Sequence, residues 1–153
     1  MVFRTAYRIT GNAADAEDVL QTVFLKMLRR GPGAVSVDSH ESYLRRAAVN
    51  AALDVVRAGK DAHSVPFDDL TPGPASLGGN QTESRELRGR LRQALARLQP
   101  REAEIFALRF FEERSNQEIA GLLGISQVHV AVILHRTRRQ LQKDIRTYLG
   151  DGR

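Results

Sequence analysis

The histidines and carboxylates of this chain lack the spacing that a metal site or an acid–base catalyst needs. The four histidines lie at positions 40, 63, 129 and 135, and no two are four residues apart on a helix. Asp15, Glu17 and Asp18 are close together, but they follow a helix start, where negative charge stabilises the helix dipole. Cysteine is absent, which excludes disulfides and thiolate ligands. We therefore predict neither an enzyme nor a metal or cofactor site.

A group of basic side chains near the C-terminus is suited to binding phosphate oxygens instead. Its members lie within three turns of one predicted helix: His135, Arg136, Arg138, Arg139 and Lys143. The net charge is +5 with an isoelectric point near 10.2, which is compatible with a nucleic-acid partner. Residues 1–60 carry nine basic and six acidic residues, residues 83–153 carry fourteen and nine, and residues 61–82 carry three acidic residues alone. A solvated basic face remains the alternative interpretation of the group.

The residues before this basic group have the pattern of a helix-turn-helix. Ser115 and Glu118 are spaced as a capping box, Gly124 allows a left-handed turn, and Ser126 caps a second helix from Gln127 to about Leu149. This arrangement presents a recognition helix to the major groove of DNA, and it favours DNA over a merely solvated basic face. The predicted DNA contacts outside the basic group are Arg114, Gln117, Gln127 and His129.

The rest of the sequence predicts an all-α fold of two small helical domains joined by a flexible linker. Domain one spans residues 1–60, the linker 61–82, and the helix-turn-helix domain 83–153. Glycine, proline and serine interrupt every pattern in the linker, which is long for a loop within one domain. No apolar run has the length of a leader or a membrane span, so the cytoplasm is the expected location.

Two helices of the first domain are predicted to have distinct inner and outer faces. The helix after Asn12 has one broad apolar stripe, expected to be buried: Val19, Leu20, Val23, Phe24, Met27 and Leu28. The helix from Glu41 to about Ala58 is expected to bury Tyr43, Leu44, Ala47, Ala51 and Val55. Its outer face is expected to carry Arg45, Arg46, Asn50, Asp54 and Arg57.

With these patterns in place, the chain resembles an extracytoplasmic-function RNA polymerase sigma factor of the sigma-70 family. Three blocks carry the resemblance: residues 6–25 (AYRITGN, then DAEDVLQ and FL), residues 43–57 (YLRRAAVN, then ALD and Arg57), and residues 98–126 (LQPRE, LRFF and the helix-turn-helix). The first helix starts at Met1 and is shorter than is usual in the family.

The resemblance implies a transcription initiation factor with a region 2 domain followed by a region 4 domain. Region 2 would bind core RNA polymerase through Asp15, Asp18, Gln21 and Phe24. It would melt the minus-10 element with Asn50, Asp54, Arg57 and the loop from Gly31 to His40. Region 4 would bind the minus-35 element, and the family commonly pairs with an anti-sigma protein.

The predicted recognition helix is unusually apolar for such a family member. Val128, Ala131, Val132 and Ile133 lie on or near its exposed face, where the family usually has polar and basic residues. Exposed apolar groups often mark a protein contact. The alternative function is therefore a sigma-like interaction module that self-associates through Val128, Val132 and Ile133.

Overall fold

The computed structural model describes residues 1–31, 40–59 and 81–151, and within these ranges the chain forms seven α-helices and no strand. In chain order they are α1 (Val2–Thr10), α2 (Ala13–Arg30), α3 (His40–Gly59), α4 (Gln81–Arg97), α5 (Pro100–Phe110), α6 (Asn116–Leu123) and α7 (Gln127–Asp151). The predicted all-α class is confirmed. Most of the predicted linker lies outside the described residues, as do residues 32–39 of the predicted promoter-melting loop.

Local capping explains where the first two helices begin and end. Gly11 ends α1 with a φ of 69°, a left-handed conformation that glycine adopts without steric cost. The side chain of Asn12 then accepts a hydrogen bond from the backbone N–H of Asp15 at 3.1 Å, so it caps α2 as predicted. Gly31, with a φ of 76°, follows the last residue of α2.

Helices α1, α2 and α3 pack against one another as a three-helix bundle. Val19 and Val23 of α2 are fully buried there, whereas Phe24 and Leu28 are 55% and 76% exposed. The prediction of one broad buried stripe was therefore wrong for Phe24 and Leu28. The three-helix bundle can cover only the side of α2 that carries Val19 and Val23.

Helix α3 is buried on more sides than its sequence pattern predicted. Ala48, Val49, Ala52 and Leu53 are buried, and so is Arg45, which was expected on the outer face. The reason is that α3 contacts α1 and α2 on one side and α4 and α5 on another. A helix between two groups of helices has little outer face left.

The C-terminal helices continue the same hydrophobic core. Helix α7 packs on α4, α5 and α6, and the buried residues of all these helices form one cluster with those of α1, α2 and α3. Ile105, Leu108, Ile119 and Val130 are fully buried within it. The division into two domains stays a prediction, but the two sides of the predicted linker are in direct contact.

In the part of the chain that the structure describes, no single helix is long and apolar enough to cross a membrane. Helices α6 and α7 reach that length and apolar character only when they are taken together, and they are bent by 109° relative to each other.

Candidate nucleic-acid interface

Helices α6 and α7 form the predicted helix-turn-helix. The Oγ of Ser115 accepts from the backbone N–H of Glu118 at 3.1 Å, and the Glu118 carboxylate accepts from the backbone N–H of Ser115 at 3.4 Å. Gly124 has a φ of 67°, and Ser126 accepts from the N–H of His129 at 3.1 Å. The two helices meet at 109°, within the range of DNA-binding helix-turn-helix units. The predicted capping box, turn and second cap are all confirmed.

The first two turns of α7 expose small and branched apolar side chains. Val128 is 74% exposed, Val132 is 42% exposed, and Ala131 and Gln127 are exposed as well. Ile133, in contrast, is only 8% exposed because it lies on the side of α7 that faces the core. The prediction of Ile133 as part of an exposed self-association surface was therefore wrong.

The basic residues of α7 are exposed on the turns that follow. His135, Arg136 and Arg139 are exposed, and so is Lys143. The Arg138 guanidinium lies 4.9 Å from the ring centroid of Phe110, a cation–π contact that holds it beside α5. The cations are thus next in sequence to the apolar turns and accessible to a phosphate backbone.

Helix α6 contributes polar groups at its start. Gln117 is exposed, and the Arg114 guanidinium donates to the Glu118 carboxylate at 3.1 Å. The hydrogen bonds from Ser115 and the charge of Arg114 lower the pKa of the Glu118 carboxyl below its ordinary value. The ion pair with Glu118 therefore holds Arg114 beside the start of α6.

The predicted minus-10 residues lie on the second half of α3. Asp54 is exposed and accepts from the Arg57 guanidinium at 3.3 Å, while Asn50 is half-buried. These three residues share one helix side because they lie three and four residues apart. The loop predicted to work with them lies mostly outside the described residues.

The predicted polymerase-binding residues lie along α2. Asp18 and Gln21 are exposed, Phe24 is 55% exposed, and Asp15 is half-buried. Burial, and secondly the nearby charge of Asp18, raise the pKa of the Asp15 carboxyl above its ordinary value.

Two further α2 residues, which the sequence analysis did not assign to a site, extend this surface. Leu25 is 53% exposed and Leu28 is 76% exposed. With Phe24 they form an apolar area, here called the α2 patch. The available signal was the helical spacing of these apolar positions, but Phe24 and Leu28 were predicted to be buried and Leu25 was not part of the predicted stripe.

Ion pairs of two buried glutamates connect the parts of the chain before and after the predicted linker. Glu112, with a side chain 1% exposed, pairs with Arg45 of α3, and its second oxygen lies 3.6 Å from the Arg8 guanidinium. Glu104 of α5 pairs with Arg46. We call the contact between residues 1–59 and 81–151 the seam. The seam left no signal in the sequence, because no local pattern relates residues 58 or 67 positions apart.

The seam has a second set of contacts at the end of α1. The Arg92 guanidinium donates to the carbonyl of Ile9 at 3.2 Å, and the Arg8 guanidinium donates to the carbonyl of Phe111 at 3.1 Å. Burial, and secondly the charge of Arg88, lower the pKa of Arg92. A Cβ added to Gly11 would meet only the flexible end of this arginine, so the left-handed backbone conformation is the main reason for glycine there.

An open cavity of about 510 Å³ lies between α3 and α6 along the seam. Its charged lining is already paired: Arg45 with Glu41, and Arg114 with Glu118. Among the described residues, no three histidine or acidic side chains group as a metal site would need. The charged side chains of the cavity are therefore engaged by the protein's own ion pairs.

Two family models match this chain, in the order that its helices follow. Residues 1–61 match sigma-70 region 2, and residues 88–141 match sigma-70 region 4. The second match contains α6, the turn and the part of α7 that carries the basic residues through Arg139.

Several curated proteins are similar over nearly the full length. The RNA polymerase sigma-E factor of Streptomyces avermitilis is 30% identical, covering 99% of this chain and 83% of the relative. The ECF RNA polymerase sigma factor SigE of Mycolicibacterium smegmatis is 33% identical over 92% of this chain and 56% of its own. The ECF RNA polymerase sigma factor SigW of Bacillus subtilis is 27% identical over 95% and 83%.

The chain belongs to the sigma-70 family of RNA polymerase sigma factors, in its extracytoplasmic-function group. It is a transcription initiation factor, and its α6–α7 unit is the DNA-binding helix-turn-helix of region 4. The predicted family is confirmed.

Proposed function

We propose that this chain binds core RNA polymerase through α2 and directs it to promoters through α3 and α7. The helix-turn-helix carries the proposal. The first turns of its recognition helix, α7, are exposed, and exposed cations follow on the later turns of the same helix. The chain also matches regions 2 and 4. It acts as an initiation factor rather than an enzyme. Its place of action is the cytoplasm, where polymerase and promoter DNA meet.

The polymerase contact is proposed for the exposed side of α2. The α2 patch of Phe24, Leu25 and Leu28 exposes large apolar side chains, and Asp18 and Gln21 lie on the same side. An apolar centre with a polar border is typical of protein interfaces. The carboxylates of Asp15 and Asp18 favour a basic surface on the polymerase.

Promoter DNA is proposed to contact two separate surfaces. The α7 cations Arg136 and Arg139 would bind phosphates beside the minus-35 element, with Arg114, Gln117, Gln127 and His129 bordering the same groove. On α3, Asn50, Asp54 and Arg57 would handle the melted minus-10 strand. Extruding a base from the stack costs a few kcal/mol, which polar contacts of this kind can offset.

Reconstitution with core polymerase tests this function. The full chain should bind core polymerase and support a promoter-dependent transcript. Failure to bind core would contradict the sigma assignment, whatever the chain does with DNA alone.

A pair of variants tests whether the α2 patch contacts core polymerase. Replacing Phe24 and Leu28 by alanine should weaken core binding by tenfold or more, since each truncation removes exposed apolar area. The matched control is Leu87→Ala on α4, which truncates an apolar side chain that is 47% exposed elsewhere. Equal core affinity of both variants would contradict the assignment of the α2 patch.

We also propose that an anti-sigma protein competes for the same α2 patch. The support is that this patch leaves three large apolar side chains uncovered in the free chain. The expected result is that such a partner and core polymerase exclude each other on the wild-type chain. A ternary complex of all three proteins would contradict it.

A further inference from the structure

The first two turns of α7 expose a surface with no charged group. We call Gln127, Val128, Ala131 and Val132 the recognition face. Val128 is 74% and Val132 is 42% exposed, whereas Val130 between them is fully buried and fixes the rotation of the helix. On this face a bound duplex would therefore meet three small apolar groups and one amide, with the exposed imidazole of His129 beside them.

The chemistry of these groups limits which base pairs they can read. In a helix-turn-helix the N-terminal residues of the second helix contact base edges. Guanine is normally read by arginine or lysine and cytosine by a carboxylate, and the recognition face has none of these. Alkyl groups contact the thymine methyl, and glutamine pairs with adenine. The recognition face is thus complementary to A·T base pairs.

The charges beyond the recognition face favour DNA over a second copy of the chain as its partner. Val128, Val132, His135 and Arg139 lie along one exposed stripe, at spacings of four, three and four residues. Positions 127–143 contain no acidic residue. They contain four cations: Arg136, Arg138, Arg139 and Lys143. A second copy of this stripe would offer the cations no acidic counter-charge, whereas a phosphate backbone would neutralise them.

We propose that Val128, Ala131 and Val132 determine promoter specificity by contacting thymine methyl groups of an A·T-rich element. This inference rests on the proposed DNA-binding role of α7. Arg136 and Arg139 supply the affinity through phosphates, and the valines supply the discrimination between bases.

The test starts from duplexes selected by the full chain out of a random pool. The selected sites should contain runs of A·T pairs. Each thymine is then replaced by uracil, which removes the methyl group and keeps every hydrogen-bonding group. Binding should weaken about fourfold for each contacted methyl, as expected for one buried carbon.

A cycle of protein and DNA changes locates the contact. Val132→Ala should weaken binding to the thymine duplex. Replacing the contacted thymine by uracil should then weaken the affinity of this variant only a little further. Val128→Ala gives an independent second cycle, and both side chains are exposed enough for the variants to fold. The matched control Arg139→Ala should weaken binding to both duplexes by the same factor.

Three results would overturn the inference. The first is equal affinity for the thymine and uracil duplexes, and the second is selection of G·C-rich sites. The third is the absence of sequence selection combined with self-association of the wild-type chain, seen in sedimentation and abolished by Val132→Lys. Each is distinguishable from failure of the proposed function, because core polymerase binding is proposed for α2 and is measured without DNA.

Discussion

Arg45 contacts two glutamates whose surroundings differ completely. The Glu112 side chain is 1% exposed and lies on the far side of the seam, whereas Glu41 is 74% exposed and lies one turn away on the same helix. Removing the partner of a buried charge is costly, while an exposed pair contributes little. The same arginine therefore provides a test and its control.

Glu112→Gln should lower the free energy of unfolding by about 3 kcal/mol, since it leaves Arg45 buried with only its exposed partner. Glu41→Gln should lower it by less than about 1 kcal/mol. Urea denaturation of both variants measures the difference. Equal losses would mean that burial does not set the strength of these pairs.

The capping box of α6 predicts a dependence of stability on pH. Hydrogen bonds from Ser115 lower the pKa of Glu118 in the folded chain below its ordinary value. A lowered carboxyl pKa stabilises the fold above the unfolded pKa, and that contribution is lost as pH falls through the folded pKa.

Ser115→Ala should cost about 1 kcal/mol at neutral pH, as is usual for a serine N-cap. Thermal melts from pH 7 to pH 3 should show a smaller decline for this variant than for wild type. Glu118→Gln serves as the control, because it removes the titrating group and keeps the serine cap. An identical decline in all three chains would contradict the role assigned to Glu118.

At the scale of the element, helix α7 exposes different kinds of side chain along its length. Its first turns expose valine and alanine, its middle turns expose arginine, and its inner side is anchored by Val130, Leu134 and Leu141. One rigid helix thus fixes the distance between the base-reading and phosphate-binding groups.

Arg136→Ala combined with Arg139→Ala should weaken binding to every duplex and reduce the salt dependence. Each lost phosphate contact lowers the slope of log K against log salt by about 0.9. The control is Arg146→Ala, an exposed arginine two turns further along α7. A double variant with the wild-type slope would show that these arginines do not contact phosphate.

At the scale of the whole molecule, the seam holds the chain in a compact form that the proposed function must open. The minus-10 and minus-35 elements are about 25 base pairs apart, or about 85 Å at 3.4 Å per base pair. A compact chain of this length is only about 40 Å across. The contacts of Glu104 and Glu112 with α3 therefore cannot all persist when both elements are bound.

Fluorescence energy transfer measures this opening directly, because the chain has no cysteine of its own. Labels on Lys26→Cys of α2 and Gln140→Cys of α7, both exposed, should show high transfer in the free chain. Transfer should fall when core polymerase and a promoter fragment are added. Unchanged transfer in a transcribing complex would mean that the seam stays closed.

The helices, their caps and the helix-turn-helix could be predicted from local sequence patterns. These depend on contacts within a few residues, such as Ser115 with Glu118, or on the backbone freedom of Gly11 and Gly124. The family and its transcription role also followed from short ordered motifs.

Only the tertiary structure decided which face of each helix is covered. Phe24 and Leu28 follow a buried pattern but are exposed, Ile133 is buried, and Arg45 faces a carboxylate 67 residues away. The physical reason is that periodicity identifies an apolar side of a helix, while its burial depends on what other helices pack there. The seam residues depend on such non-local packing, whereas Val128, Ala131 and Val132 were already expected to be exposed from the local pattern.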